Sequence, residues 1–301
     1  MKKSSFSNCI LLFMAALVWG LGFVSQSAGA DYIGAFAFNG FRFPLAFLVL
    51  IPFLFIRKKT GKTEYTKDRK TAIIGGVSCG VVLFLASTFQ QLAMTDASSG
   101  KAGFLTSFYI VLVPIFGLFL KKRTTLFVWI SVVLALIGLF FLCVKDSFTL
   151  SSSDTSLFIC AALYSIHILV IDHFSPDVDG VLLSWIQFGV VSVCSIVCMF
   201  IFEGLPSASD ISAAAIPVLY AGIMSCGVGY TFQIIGQNNV NPAVASVILS
   251  LESCISAFAG ALILGQMMTP REIIGCIFMF GAVLITQVPV GKNKSSQTIA
   301  E

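Results

Sequence analysis

Charge is what this chain has least of. Only 11% of its 301 residues are acidic or basic, while 57% are hydrophobic and the mean hydropathy is +0.96. A soluble domain is about 25% charged, so a soluble enzyme or peptide-binding module is excluded. Histidine is nearly absent, with two residues, and the nine cysteines contain no CxxC pair and no partner at zinc spacing. Free thiols are expected, with no structural metal and no cofactor. Walker A, HExxH and a Gly-rich turn after a strand are also missing, and no catalytic residue is assigned.

What the chain does have is long apolar runs. About 20 apolar residues cross the hydrocarbon core of a bilayer as a helix. Ten runs approach that length, at 10–27, 33–56, 71–93, 102–120, 126–144, 156–171, 181–202, 213–235, 243–264 and 272–288. The lipid bilayer is therefore the first partner, and the expected location is the cell membrane, crossed many times. Lys2 and Lys3 before the first run, with Ala28-Gly29-Ala30 after it, resemble a cleavable signal. Cleavage would leave one half a helix short, so the run is read as retained.

The net charge of +4 matters less than where it sits. Arg57, Lys58, Lys59, Lys62, Lys67, Arg69 and Lys70 crowd the second connection, and Lys121, Lys122 and Arg123 the fourth. Lys2 and Lys3 precede the first run, and Lys292 and Lys294 follow the last. Odd connections hold only Lys101, Lys145 and Arg271. Basic loops stay inside, which puts even connections and both termini in the cytoplasm. The sixth connection dissents with Asp172, His173, Asp177 and Asp179, but acidic residues count little in that rule. Short basic clusters between apolar runs mark topology, so nucleic acid is not expected as a partner.

The chain also repeats itself. Phe89–Arg123 aligns with Phe232–Gln266, with identities at Phe89/Phe232, Gln90/Gln233, Ala102/Ala245, Ser107/Ser250 and Gly117/Gly260. Thr88/Thr231, Ile130/Ile273 and Gly138/Gly281 extend the match, and Arg42-Phe43 lines up with Gln187-Phe188. Five helices repeated as five enter the membrane in opposite senses, because five is odd. The expected fold is an all-α membrane protein of ten transmembrane helices in two inverted five-helix repeats. Such repeats can open one site alternately to either side.

Polar groups inside the runs are few and costly. Arg42 stands midway in the second run and reads as an anion contact or as a structural tether. Glu252 stands midway in the ninth, as a proton-coupling or cation-binding carboxylate or as a packing group bonded to neighbours. The small residues Ser246, Ser250, Ser253, Ala257 and Gly260 beside it favour close helix packing. Trp19, Asn39, Gln90, Gln91, Tyr109, Tyr164, His167, Trp185, Gln187, Tyr230 and Gln233 complete the mid-span polar set. Amides in lipid must face protein or water, and amides among aromatic walls suit a small amphipathic solute.

Ala16-Leu17-Val18-Trp19-Gly20, Arg42, the stretch Asp96–Leu120, its second copy NPAVASVILSLESCISAFAGALILGQ, and Gly275 and Gly281 together resemble the EamA branch of the drug/metabolite transporter superfamily. The resemblance covers two EamA repeats, at 10–144 and 156–289. Two positions depart from the family pattern: Ser253 stands where Pro is common, and Gln266 where Glu is common. The resemblance implies a central cavity between the halves and export of small metabolites, amino acids or toxic organic compounds. Trp19, Arg42, Gln90, Tyr109, Gln187, Tyr230 and Gln233 are the expected pathway positions, with Glu252 for coupling or packing. A passive channel or facilitator is the nearer alternative. A membrane enzyme is the further one, with Asp172, His173, Asp177 and Asp179 as its only cluster. A homodimer is left open.

Overall fold

The computed structural model describes residues 3–59, 66–97, 99–122, 124–143, 152–264 and 268–287. Lys62, Arg123, Lys145, Gln266, Lys292 and Lys294 lie outside them, as does the side chain of Lys101. The described residues form helices joined by turns, because in hydrocarbon each backbone polar group must be bonded within its own segment. In chain order these are α1 (Lys3–Ala30), α2 (Ala35–Lys59), α3 (Arg69–Ala93), α4 (Ser99–Thr106), α5 (Tyr109–Phe119), α6 (Leu126–Cys143), α7 (Ser152–Phe174) and α8 (Gly180–Phe202). Then come α9 (Ala208–Ala213), α10 (Ala215–Leu219), a π-helical segment (Tyr220–Tyr230), α11 (Thr231–Gln237), α12 (Pro242–Leu249), α13 (Glu252–Leu264) and α14 (Pro270–Thr286).

Among the described residues, eight helical stretches are long and apolar enough to cross a membrane. The fifth run is a shorter apolar helix, Leu126–Leu142, and the tenth is the 17 residues of α14. The outer surface is apolar: Phe119 is 82% exposed and Ile216 80%. Apolar surface on that scale needs a partner, and lipid supplies it.

Both half-length helix pairs break in the same way. Ser107 N bonds Gly103 O, Phe108 N bonds Leu105 O, and Ile110 N bonds Ser107 O. In the second copy Ser250 N bonds Ser246 O, Leu251 N bonds Ile248 O, and Ser253 N bonds Ser250 O. Each bond has its counterpart at the repeat interval. The ladder is interrupted at Ser107 and at Ser250, one of the identical columns. The eighth run differs from its counterpart: α3 is regular, whereas Tyr220–Tyr230 is π-helical. Hydropathy cannot see that change, since it sums residue polarity along the chain and carries no hydrogen-bond register.

Packing pairs the halves with each other. α2 lies on α8, α6 on α14, and α3 on α7 and α8, while α1 packs on α13, the π segment and α11. The α2–α8 seam packs Phe43 against Phe188, with tilted rings whose centroids are 6.2 Å apart. Along α6–α14 the backbones touch: a Cβ at Gly138 would stand 2.8 Å from Gly275 O, and one at Gly275 would stand 2.7 Å from Gly138 O. Small residues permit such close approach between helices in lipid.

The bundle has two distinguishable ends. α1 finishes and α2 begins across a short turn, and Glu203, after α8, accepts from Phe36 N at 3.0 Å and Ala37 N at 2.8 Å. That end therefore holds Ala30, Ala35, Ala93 and Phe202. The opposite end holds Lys59, Arg69, Phe174 and Gly180. There Asp68 caps α3 by accepting from Thr71 N at 2.7 Å, and Asp179 caps α8 by accepting from Val181 N and Leu182 N, both at 3.0 Å.

Candidate functional site

A cavity lies between the halves, lined by α1, α2, α3, α4, α5, α7, the π segment, α11, α12 and α13. Its walls carry Trp19, Phe23, Gln26, Arg42, Gln90, Thr106, Tyr109, Tyr164, Ile168, Ser225, Tyr230, Gln233, Leu249 and Glu252. The space open to the centre of a water molecule is about 30 Å³, enough for about two waters.

Chain breaks and spacing explain how these groups converge. Tyr109 opens α5 just after the break at Ser107, and Glu252 opens α13 just after the break at Ser250. Tyr109 Oη donates to Glu252 Oε1 at 3.1 Å. Beside it, Ser107 and Ser253 share a hydrogen bond of 2.9 Å. On α1, Trp19, Phe23 and Gln26 follow at intervals of four and three, so they share one helix face.

The tyrosines form a second bridge. Tyr164 Oη donates to Gln90 Oε1 at 3.2 Å and shares a 3.0 Å hydrogen bond with Tyr230. Trp19 packs at a tilt against Tyr230, centroids 4.8 Å apart, and its Nε1 donates to Ser225 O at 3.0 Å. The close fit here depends on Gly229, where a Cβ would stand 2.5 Å from Trp19 Nε1.

Arg42 is 2% exposed. Its guanidinium carbon lies 5.3 Å from the Phe38 ring centre and 5.0 Å from that of Phe43. Cation–π contacts of this kind steady a desolvated guanidinium, but they leave its N–H donors free. Arg42 Nε, Gln26 Oε1 and Gln233 Oε1 are buried without a hydrogen-bond partner. A buried polar group normally has a partner, so these three offer donors and acceptors to a guest. The cavity thus combines one guanidinium, one carboxylate, three amide side chains and an aromatic wall.

Of the expected pathway residues, Trp19, Arg42, Gln90, Tyr109, Tyr230 and Gln233 line this cavity, together with Glu252. Gln187 does not. It is fully buried and meets His167 Nε2 at 3.1 Å through Oε1, which draws it behind the wall. Gln91 likewise faces Gln26 O, at 3.1 Å. Phe23, Gln26, Thr106, Ser225, Ile168 and Leu249 were not anticipated. Gln26 was within reach, being seven residues beyond Trp19 on the same face.

The enzyme-like features resolve into packing. A Gly-x-Ser-x-Gly string does occur, at Gly76–Gly80, but it lies inside α3 rather than at a strand-to-helix turn. Gly76 and Gly80 there seat Ile186 and Val190 of α8. In the acidic connection Asp172 pairs with Lys122, Asp179 pairs with Arg57 at 3.0 Å, and Asp177 O accepts from Lys67 N at 2.8 Å. His173 packs edge-on against the Phe174 ring.

Known proteins resemble this chain along nearly its whole length. The model of the EamA-like transporter family matches twice, over residues 6–144 and 152–287. An uncharacterized transporter of Archaeoglobus fulgidus is 28% identical over 287 residues, 93% of this chain and 85% of that protein. The uncharacterized transporter YoaV of Bacillus subtilis is 23% identical over 289 residues, 94% of this chain and 97% of that protein. One crystal structure superposes with a TM-score of 0.74 over 93% of this chain and 96% of the other, at 17% identity, a likeness of fold alone. The chain is a multi-pass membrane protein, and with two matched repeats it belongs to the EamA-like transporter family.

Proposed function

We propose that this protein is a secondary transporter that moves small zwitterionic or amphipathic metabolites, amino acids foremost, through the cavity by alternating access. The observation that carries this reading is the pairing of Arg42 and Glu252 in one buried, aromatic-walled cavity. Arg42 takes the anionic end of the solute by charge-assisted hydrogen bonds. Glu252 takes the cationic end, exchanging its bond from Tyr109 for one from the solute. Gln26, Gln90 and Gln233 fix orientation, and the rings of Trp19, Tyr164 and Tyr230 hold the apolar part.

The reading includes ten spans in two inverted five-helix repeats, at 10–144 and 156–289, with both termini in the cytoplasm and outward transport. It is supported by the duplicated hydrogen bonds around Ser107 and Ser250 and by the pairing of each half's helices with the other's. No nucleotide site is encoded, so outward work draws on an ion gradient or on exchange.

Counterflow into proteoliposomes tests this. Vesicles preloaded with neutral amino acids should concentrate the labelled compound transiently. R42Q and E252Q, correctly inserted, should lose that overshoot. An imposed pH difference separates a coupled carrier, which accumulates solute, from a passive facilitator, which only equilibrates it. Full overshoot in R42Q would overturn the assignment of the cavity.

A further inference from the structure

The acidic sixth connection, the exception to the charge pattern, faces the basic connections of the other half. Arg57, in the last turn of α2, reaches Asp179, the cap of α8, at 3.0 Å. Lys122, between α5 and α6, reaches Asp172 near the end of α7. Both pairs join the first half to the second, and both lie at the end that holds Lys59 and Arg69. The cavity reaches toward the other end along α1, from Trp19 through Phe23 to Gln26, and on α3 at Gln90, near Ala93, while Ile168 and Gln233 mark its floor on the side of the basic end.

We propose that Arg57–Asp179 and Lys122–Asp172 form an electrostatic latch. It holds the basic end of the bundle shut while the cavity communicates with the opposite end, and its release admits solute from the basic end. A neutral bond between the halves completes the closure: Asp179 N donates to Thr66 Oγ1 at 3.1 Å. Each pair sets a partly exposed cation against a mostly buried carboxylate: the side chains of Arg57 and Lys122 are 25% and 36% exposed, those of Asp179 and Asp172 5% and 12%. The open side admits water and salt, which weaken and screen the pairs. They can therefore break in each cycle, which a deeply buried pair could not do cheaply. The acidic residues are thus retained on a basic face as the counter-charges of a gate.

The latch takes its purpose from the transport reading, but its test counts thiol reaction and not flux, so the two fail separately. Ile168 lines the cavity. Ile168→Cys is reacted with an impermeant maleimide from each face of sealed vesicles, and peptide mass spectrometry reads that site apart from the native cysteines. With the latch intact, labelling is faster from the face opposite the basic end. R57Q/K122Q should raise labelling from the basic face about threefold to tenfold and leave the opposite face no faster. The swap K122D/D172K should restore the rate that K122D alone disturbs. About 1 M salt should accelerate labelling from the basic face with the latch residues intact, which decides the matter if the double variant does not fold. An unchanged basic-face rate in R57Q/K122Q or in salt, an equal rise from both faces, or a swap without rescue would overturn the latch.

Discussion

Tyr109 and Glu252 touch, Oη to Oε1 at 3.1 Å, and they stand 143 residues apart. That is the interval that brings Phe89 onto Phe232 and Ser107 onto Ser250. Equivalent positions of the two copies therefore meet face to face. Phe43 and Phe188, also aligned, do the same on α2 and α8. A two-fold relation between the halves would have to pass through both contacts. One copy carries a phenol and the other a carboxylate, so the centre of a repeated structure is chemically unequal, with a donor on one side and an anion on the other.

That inequality predicts unequal effects of substitution. Removing the Glu252 charge removes a charge-assisted bond worth about 1.5–3 kcal/mol, against about 1 kcal/mol for a neutral one. E252Q should weaken solute binding by about tenfold to a hundredfold, whereas Y109F, which removes only the bond to Glu252 that the solute displaces, should not weaken it. Equilibrium binding to purified protein checks this, and equal losses in the two variants would contradict it.

Arg42 makes a prediction about shape as well as charge. R42K keeps the charge but loses the planar fork and part of the contact with Phe38 and Phe43. It should bind solute about fivefold to tenfold more weakly, and R42Q more weakly still. Thermal unfolding of R42Q should shift little or upward, because its guanidinium is desolvated without a described carboxylate partner. A large fall in Tm would make Arg42 a structural tether instead.

The α6–α14 seam makes a stability prediction with its own control. G138A and G275A each force a methyl into a facing backbone, and overpacking costs about 1–3 kcal/mol. G281A occupies the matching column, but its Cβ would meet only a Leu134 methyl, at 3.6 Å. It should leave the midpoint of thermal unfolding unchanged while the other two lower it, as read in detergent.

Asp68 gives a pH dependence outside the spans. Its carboxyl is held below the usual range, first by the hydrogen bond from Thr71 N. A depressed carboxyl adds stability above its unfolded pKa and loses it as pH falls through the folded one. The protection of the Thr71 amide, its exchange rate relative to the intrinsic rate at each pH, should therefore persist from neutral pH downward and be lost only in acid below the ordinary carboxylate range. D68N, whose amide oxygen also caps, should abolish that dependence, and D68A should exchange fast throughout.

The apolar runs and the repeat were legible because lipid punishes charge and because the copies still share whole columns. Arg42 and Glu252 stood out for the same reason. Gln187 misled, since alignment with Arg42 says nothing of the hydrogen bond from His167 that turns it away. The π-helical turn at Tyr220–Tyr230 leaves no mark on hydropathy. Arg57–Asp179 and Lys122–Asp172 join residues far apart in sequence, so the acidic connection looked like an anomaly until its partners were placed beside it.

Distances measured by paired spin labels at both ends of the bundle test the central claim most directly. One pair sits at Lys58 and His173, the other at Tyr32 and Ser209, all exposed positions. On adding the amino acid that gives counterflow, the account predicts that one distance lengthens as the other shortens. Two distances that move together, or do not move, would contradict a single cavity opening by turns to either face.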